Sequence, residues 1–91
     1  MNWISVIIRV MVEDSSGRLW VSIYGGVGLF NPENGQINLL SEQFPELKKY
    51  KVANALAIDN QSRLVVGSDN GLYIYDPATN KNMDTGGRRP G

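Results

Sequence analysis

The chain contains no cysteine and no histidine. Without thiolates or imidazoles it offers no zinc-type ligand set, no Cys or His nucleophile, and no triad that depends on a histidine base. Most hydrolytic chemistry is thereby excluded, and neither a metal site, a cofactor nor an enzymatic activity is expected. The missing cysteines also remove disulfides as a marker of redox compartment. Net charge is absent too: nine Lys+Arg against nine Asp+Glu leave no field to attract nucleic acid or an anionic membrane. No uninterrupted apolar run approaches the roughly 18–20 residues that span a bilayer, so no membrane insertion is expected. The apolar start, Met1–Val10, has no basic flank, is interrupted by Arg9, and meets no small-residue cleavage site before Glu13-Asp14. A signal peptide is therefore not expected in this chain.

What is present is an internal duplication. With an offset of 45 residues, Asp14 falls on Asp59, Arg18 on Arg63, Leu19 on Leu64, Val21 on Val66, Gly26 on Gly71 and Pro32 on Pro77. Similar residues fill many of the gaps, among them Ile7/Val52, Leu29/Ile74 and Phe30/Tyr75. One register is kept without insertion, and a period of about 40–50 residues is typical of propeller blades.

Each copy carries three turn signals with a physical cause. Asp14-Ser15-Ser16-Gly17 pairs an acceptor side chain with a glycine able to take positive φ. Its copy, Asp59-Asn60-Gln61-Ser62, lacks the glycine and is expected to be more strained or differently shaped. Tyr24-Gly25-Gly26 recurs as Asp69-Asn70-Gly71, and Asn-Gly between apolar runs is a strong hairpin signal. Asn31-Pro32-Glu33-Asn34-Gly35 recurs as Asp76-Pro77-Ala78-Thr79-Asn80, with proline pre-setting φ at the first central position.

Three hairpin turns join four antiparallel strands, expected at 4–13, 18–23, 27–31 and 36–40, then 52–58, 63–68 and 72–76. Both faces of these strands are partly apolar, which predicts sheets covered on both sides. The last stretch, Lys81-Asn82-Met83-Asp84-Thr85, has almost nothing to bury, so the second unit is expected to lack a clear outer strand. The predicted architecture is all-β: a partial propeller of two consecutive four-stranded antiparallel blades, residues 1–45 and an incomplete 46–80, with a flexible tail at 81–91.

The run Val12-Glu13-Asp14-Ser15-Ser16-Gly17-Arg18-Leu19-Trp20-Val21, then Gly25-Gly26 and Leu29-Phe30-Asn31-Pro32, resembles the two-component regulator propeller repeat. So does Ile58-Asp59 through Gly67-Ser68, followed by Gly71-Leu72-Tyr73-Ile74-Tyr75-Asp76-Pro77. The resemblance covers about residues 4–80. Ser22-Ile23 departs from its usual Gly-Thr, and Ser62 and Val65 stand where the repeat has Gly and Trp. It implies a blade pair from the periplasmic sensor region of a hybrid histidine kinase, a class that often senses polysaccharide fragments, with other propeller blades as partners.

Asp14, Gly17, Trp20, Gly26, Pro32, Asp59, Gly71 and Pro77 read as turn and packing residues: each has a backbone or core duty that its residue type explains. The Gly25-Gly26-Val27-Gly28 run opens a strand, not a helix, and lacks the dipole of a phosphate cradle. Lys48-Lys49-Tyr50-Lys51 reads as a solvated connector, because no other basic surface accompanies it and no nucleic-acid partner is expected. On a propeller, 41–54, 24–26 and 69–71 would share one rim. Tyr24, Tyr50, Asn54 and Asp69 are then the candidates for binding an oligosaccharide. Two alternatives to a sensor fragment are a subunit that completes a ring of about six or eight blades with other chains, and a propeller lyase fragment.

Overall fold

The structure, a computed structural model, describes residues 8–84. It is all-β, with two four-stranded antiparallel sheets and no closed barrel. The first sheet comprises β1 (Val10–Glu13), β2 (Leu19–Ile23), β3 (Gly26–Asn31) and β4 (Gln36–Leu39). The second comprises β5 (Ala53–Ile58), β6 (Leu64–Ser68), β7 (Gly71–Asp76) and β8 (Lys81–Asp84). Each sheet is a meander in chain order, consistent with two partial propeller blades.

The offset of 45 residues persists in three dimensions: β6, β7 and β8 begin and end 45 residues after β2, β3 and β4. Register follows as well. Trp20↔Leu29 and Phe30↔Ile37 recur as Val65↔Ile74 and Tyr75↔Asn82.

Local turn chemistry explains this fidelity. In the first turn of each sheet, Asp14 and Asp59 donate their main-chain N–H to the Arg18 and Arg63 carbonyls at 3.0 Å, and Gly17 and Ser62 donate to the aspartate carbonyls at 3.0 Å. Gly17 has φ 84° and Ser62 φ 62°. The serine thus adopts the glycine's left-handed geometry, a conformation costing a non-glycine residue about 1–2 kcal/mol. The turn is strained and not reshaped. In the third turn, Asn31 and Asp76 side chains accept from Glu33 and Ala78 N–H across Pro32 and Pro77, at 2.9 and 3.0 Å.

Two sequence expectations are corrected. The second sheet has its outer strand: β8 pairs with β7 through Tyr73↔Asp84, Ile74↔Met83, Tyr75↔Asn82 and Asp76↔Lys81. An edge strand needs backbone partners more than a buried side chain, and a polar one discourages edge-to-edge aggregation. Asn82 adds a tie by donating to Glu46 Oε2 at 3.3 Å. Residues 81–84 therefore leave the expected tail, and 85–91 lie outside the described residues, as does the 4–7 part of the first predicted strand. The second correction concerns the connector. Between the sheets run α1 (Leu40–Gln43) and a 3₁₀ helix (Pro45–Lys49), where a loop is expected. Leu40, Phe44 and Leu47 recur at helical spacing, and Pro45 occupies the first position of the 3₁₀ turn.

The core lies between the two sheets. Val10, Val12, Trp20, Val27 and Leu29 of the first sheet meet Leu56, Ile58, Leu64, Val66, Tyr73 and Tyr75 of the second, and Leu40, Phe44, Leu47 and Tyr50 of the connector complete the cluster. Trp20 meets Tyr75 edge-on with ring centroids 5.6 Å apart, an arrangement worth about 0.5–1.5 kcal/mol beyond area burial. Ser22, fully buried, donates its hydroxyl to the Ala53 carbonyl at 2.9 Å and ties β2 to β5. Cover on both sides is not complete: on the far face of the second sheet Leu72 is 39% and Met83 50% exposed.

Candidate functional site

Hydrogen bonds gather one set of loops. Gly25 N–H donates to the Lys51 carbonyl at 2.8 Å, which ties the β2–β3 turn to the connector. Asn70 Nδ2 donates to the Lys49 carbonyl at 2.5 Å, which ties the β6–β7 turn to the same segment. Asn54 Nδ2, at the start of β5, donates to Asp69 Oδ1 at 3.1 Å. The connector and the two hairpin turns therefore form one continuous rim. The β1–β2 and β5–β6 turns are joined elsewhere, through the hydroxyls of Ser15 and Ser62.

Of the four residues that the sequence nominates for ligand contact, three lie on this rim's surface. Tyr24 is 80% exposed, and Asn54 and Asp69 are exposed and bonded to each other. Tyr50 is different, and its nomination is corrected. It is 1% exposed, with its ring 4.7 Å from that of Tyr73. The 3₁₀ turn before it rotates the phenol into the core, so Tyr50 presents no face for stacking. Burial, with Tyr50 close by, pushes the Tyr73 phenol well above its ordinary pKa.

Residues that the sequence did not nominate for ligand contact join Asp69 to complete the surface. Lys49, Lys51, Val52, Ser68, Asp69 and Asn70 line a cleft of about 260 Å³. Its walls carry two ammonium groups, a carboxylate, a carboxamide and a hydroxyl. Lys49 is held partly over the Tyr50 ring, with Nζ 5.3 Å from the centroid. The signal for these lysines is the 48–51 basic cluster itself, once the 69–71 turn is placed beside it.

A larger cavity of about 440 Å³ opens between the sheets, lined by Trp20, Leu29, Asn38, Glu42, Gln43 and Tyr75, among others. Its aromatic walls are nearly closed, Trp20 being 3% and Tyr75 6% exposed. Little ring face is left there for a sugar, so the smaller rim cleft is the better candidate despite its size.

Asp14 and Asp59 sit away from the rim and cap their turns. Asp14 Oδ1 accepts from the main chain of Ser16 and Arg18 at 3.0 Å each, and Oδ2 accepts Arg18 Nε at 2.6 Å and Trp20 Nε1 at 3.0 Å. Burial acts to raise this carboxyl's pKa, but the donors from Trp20, Arg18 and Ser16 outweigh it and hold the pKa below its ordinary value. Asp59 accepts from the main chain of Gln61 and Arg63 at 2.9 Å and from Arg63 Nε at 2.8 Å. The Arg63 main-chain bond is the largest cause of its lowered pKa. Among the described residues no group of three carboxylates converges as a metal site would require.

With known proteins, the chain is similar in structure to the extracellular domain of BT4673 from B. thetaiotaomicron, described in one structure as a putative hybrid two-component system and in another as a putative one-component system. The TM-score is 0.66 at 26% identity, and the match covers 85% of this chain and 10% of that one. This chain therefore spans about a tenth of the length of the protein it matches. No family model and no curated protein matches it. Among the described residues no helix is long and apolar enough to cross a membrane.

Proposed function

We propose that the chain is a non-enzymatic, ligand-sensing segment of the extracytoplasmic part of a two-component system, built as two blades of a regulator propeller. The observation that carries this reading is the 26% identity to an extracellular two-component-system domain across 85% of the chain, which takes in both sheets. The 45-residue repeat and its Asp…Leu-Trp and Gly-Leu…Asp-Pro elements point the same way. Residence in the periplasm or outside the cell follows from that relationship.

In this reading the ligand is a polar, sugar-like molecule held at the rim. Asn54 and Asp69 offer paired donors and acceptors, Tyr24 offers an exposed ring face for a pyranose, and Lys49 and Lys51 bring cations to the cleft. Rim loops on a rigid scaffold suit recognition, and no proton-transfer pair is needed for it. Other blades, of the same or another chain, complete the propeller.

The test is calorimetric titration of the 91-residue chain with a panel of neutral and acidic oligosaccharides, repeated with Tyr24→Ala and with Asn54→Ala/Asp69→Ala. Binding of one glycan class, weakened at least tenfold in both variants, is expected. Undiminished binding in both variants, or binding of none of the panel, overturns the rim assignment.

A further inference from the structure

The neutral polar groups at the rim cleft are already engaged in holding it together. The Ser68 hydroxyl donates to the Gly71 carbonyl at 3.1 Å and accepts from the Asn70 main-chain N–H at 3.2 Å. The carboxamide of Asn70 donates to the Lys49 carbonyl, and that of Asn54 to Asp69 Oδ1. Each of these groups spends a donor on the scaffold, and Ser68 spends the only one its side chain has.

Lys51 is not so committed. It is exposed, and among the described residues its ammonium has no ion-pair or hydrogen-bond partner. Its main chain is fixed instead: the carbonyl accepts from Gly25 N–H at 2.8 Å, next to Tyr24, while the residue itself borders the cleft. Lys51 therefore stands where the Tyr24 turn and the cleft meet. Two ammonium groups against one carboxylate leave the cleft with one positive charge in excess, although the whole chain is neutral. An ammonium brings three donors and no acceptor, and its hydrogen bonds to an anion are about twice as strong as those between neutral groups.

We infer that the rim selects a sugar unit bearing an anionic substituent, a carboxylate or a sulfate ester, with the anion at Lys51 and the ring against Tyr24. The inference deepens the rim assignment made above and rests on it. The cleft of about 260 Å³ is smaller than the roughly 300–1,000 Å³ of most small-molecule pockets, so it admits one such unit and leaves the neighbouring sugars of a chain outside. Lys49, held over the Tyr50 ring, adds to the positive charge there.

Asp69 sharpens the selection. Its carboxylate repels an anion and accepts from hydroxyl groups, so the charged substituent sits on the Lys51 side of the cleft and the sugar hydroxyls on the Asp69 side. A neutral sugar would satisfy Asp69 and leave Lys51 with water, whereas a doubly charged unit would set one anion against Asp69.

Calorimetric titration of the 91-residue chain with matched glycans tests it: a set of neutral oligosaccharides, each alongside its uronic-acid and its sulfated counterpart. At least one backbone is expected to bind about tenfold more tightly with an anionic substituent than without, and the two acidic arms tell which anion is taken. That preference should shrink as sodium chloride rises from about 50 mM to about 500 mM, because exposed charges are screened. Lys51→Gln should weaken the acidic counterpart about tenfold, to the level of the neutral one, while keeping the wild-type near-ultraviolet circular dichroism. Lys51→Arg, which retains the charge, should retain the preference. Neutral and acidic counterparts that bind alike, or a preference that survives Lys51→Gln, overturn this inference alone. Binding of no glycan in the set overturns the rim assignment beneath it.

Discussion

Trp20 donates its indole N–H to Asp14 Oδ2 at 3.0 Å, so the residue that fills the seam between the sheets is also pinned to the turn that starts its strand. In the second sheet the same position is Val65, and Asp59 lacks this fourth donor among its hydrogen bonds. The difference shows in burial. The Asp14 side chain is fully enclosed, whereas that of Asp59 keeps 22% of its surface exposed. One substitution between the copies thus separates a buried hub from a surface cap.

Asp14→Ala should therefore cost more than Asp59→Ala. It strands a buried indole N–H and the main-chain donors of Ser16 and Arg18, for a loss of about 2–4 kcal/mol from the penalty on unsatisfied buried groups. Urea unfolding followed by Trp fluorescence measures both variants, and Asp59→Ala should show the smaller loss.

Acid sensitivity follows from the same carboxylates. Both folded-state pKa values lie below the ordinary 3.8. A depressed folded pKa means that the unfolded chain takes up protons first. The stabilisation is thus present in full above the ordinary carboxylate value and is lost as pH falls through the lowered folded one. Stability measured between pH 6 and about pH 2 should drop on the acid side, and Asp14→Asn should flatten that drop while lowering stability at neutral pH.

The two tyrosines that the sequence nominates for the rim should part company. Tyr50→Ala empties a core position between the sheets and should cost about 3–5 kcal/mol, the range for large aromatic truncations. Tyr24→Ala removes a side chain that is 80% exposed and should change stability by no more than about 0.5 kcal/mol. Thermal melts of the two variants check the contrast.

Much of this fold was legible because turn chemistry is local. Asp14, Gly17 and Pro32, and their copies Asp59 and Pro77, announce hairpins without reference to the rest of the chain, and the common offset then aligns the sheets. β8 escaped notice because its pairing is carried by the backbone, whereas Lys81, Asn82 and Met83 give no apolar pattern to read. Tyr50 was misdirected for the opposite reason. Its exposure depends on whether the connector is loop or helix, and the spacing of Leu40, Phe44 and Leu47 carries that information, not the Lys-Lys-Tyr-Lys run around it. The proximity of Asn54 and Asp69 was readable because it depends only on strand order within one sheet.

The stacking of the two repeats underlies the rim, and one crosslink tests it directly. The Ser15 and Ser62 hydroxyls are hydrogen-bonded across the two sheets, 47 residues apart, and the chain has no cysteine of its own. In Ser15→Cys/Ser62→Cys, mild oxidation should close a disulfide within one chain, leave no thiol reactive to Ellman's reagent, and raise stability by about 4 kcal/mol for a loop of this length. Thiols that stay free under oxidation, or that link only separate chains, would contradict the stacked arrangement.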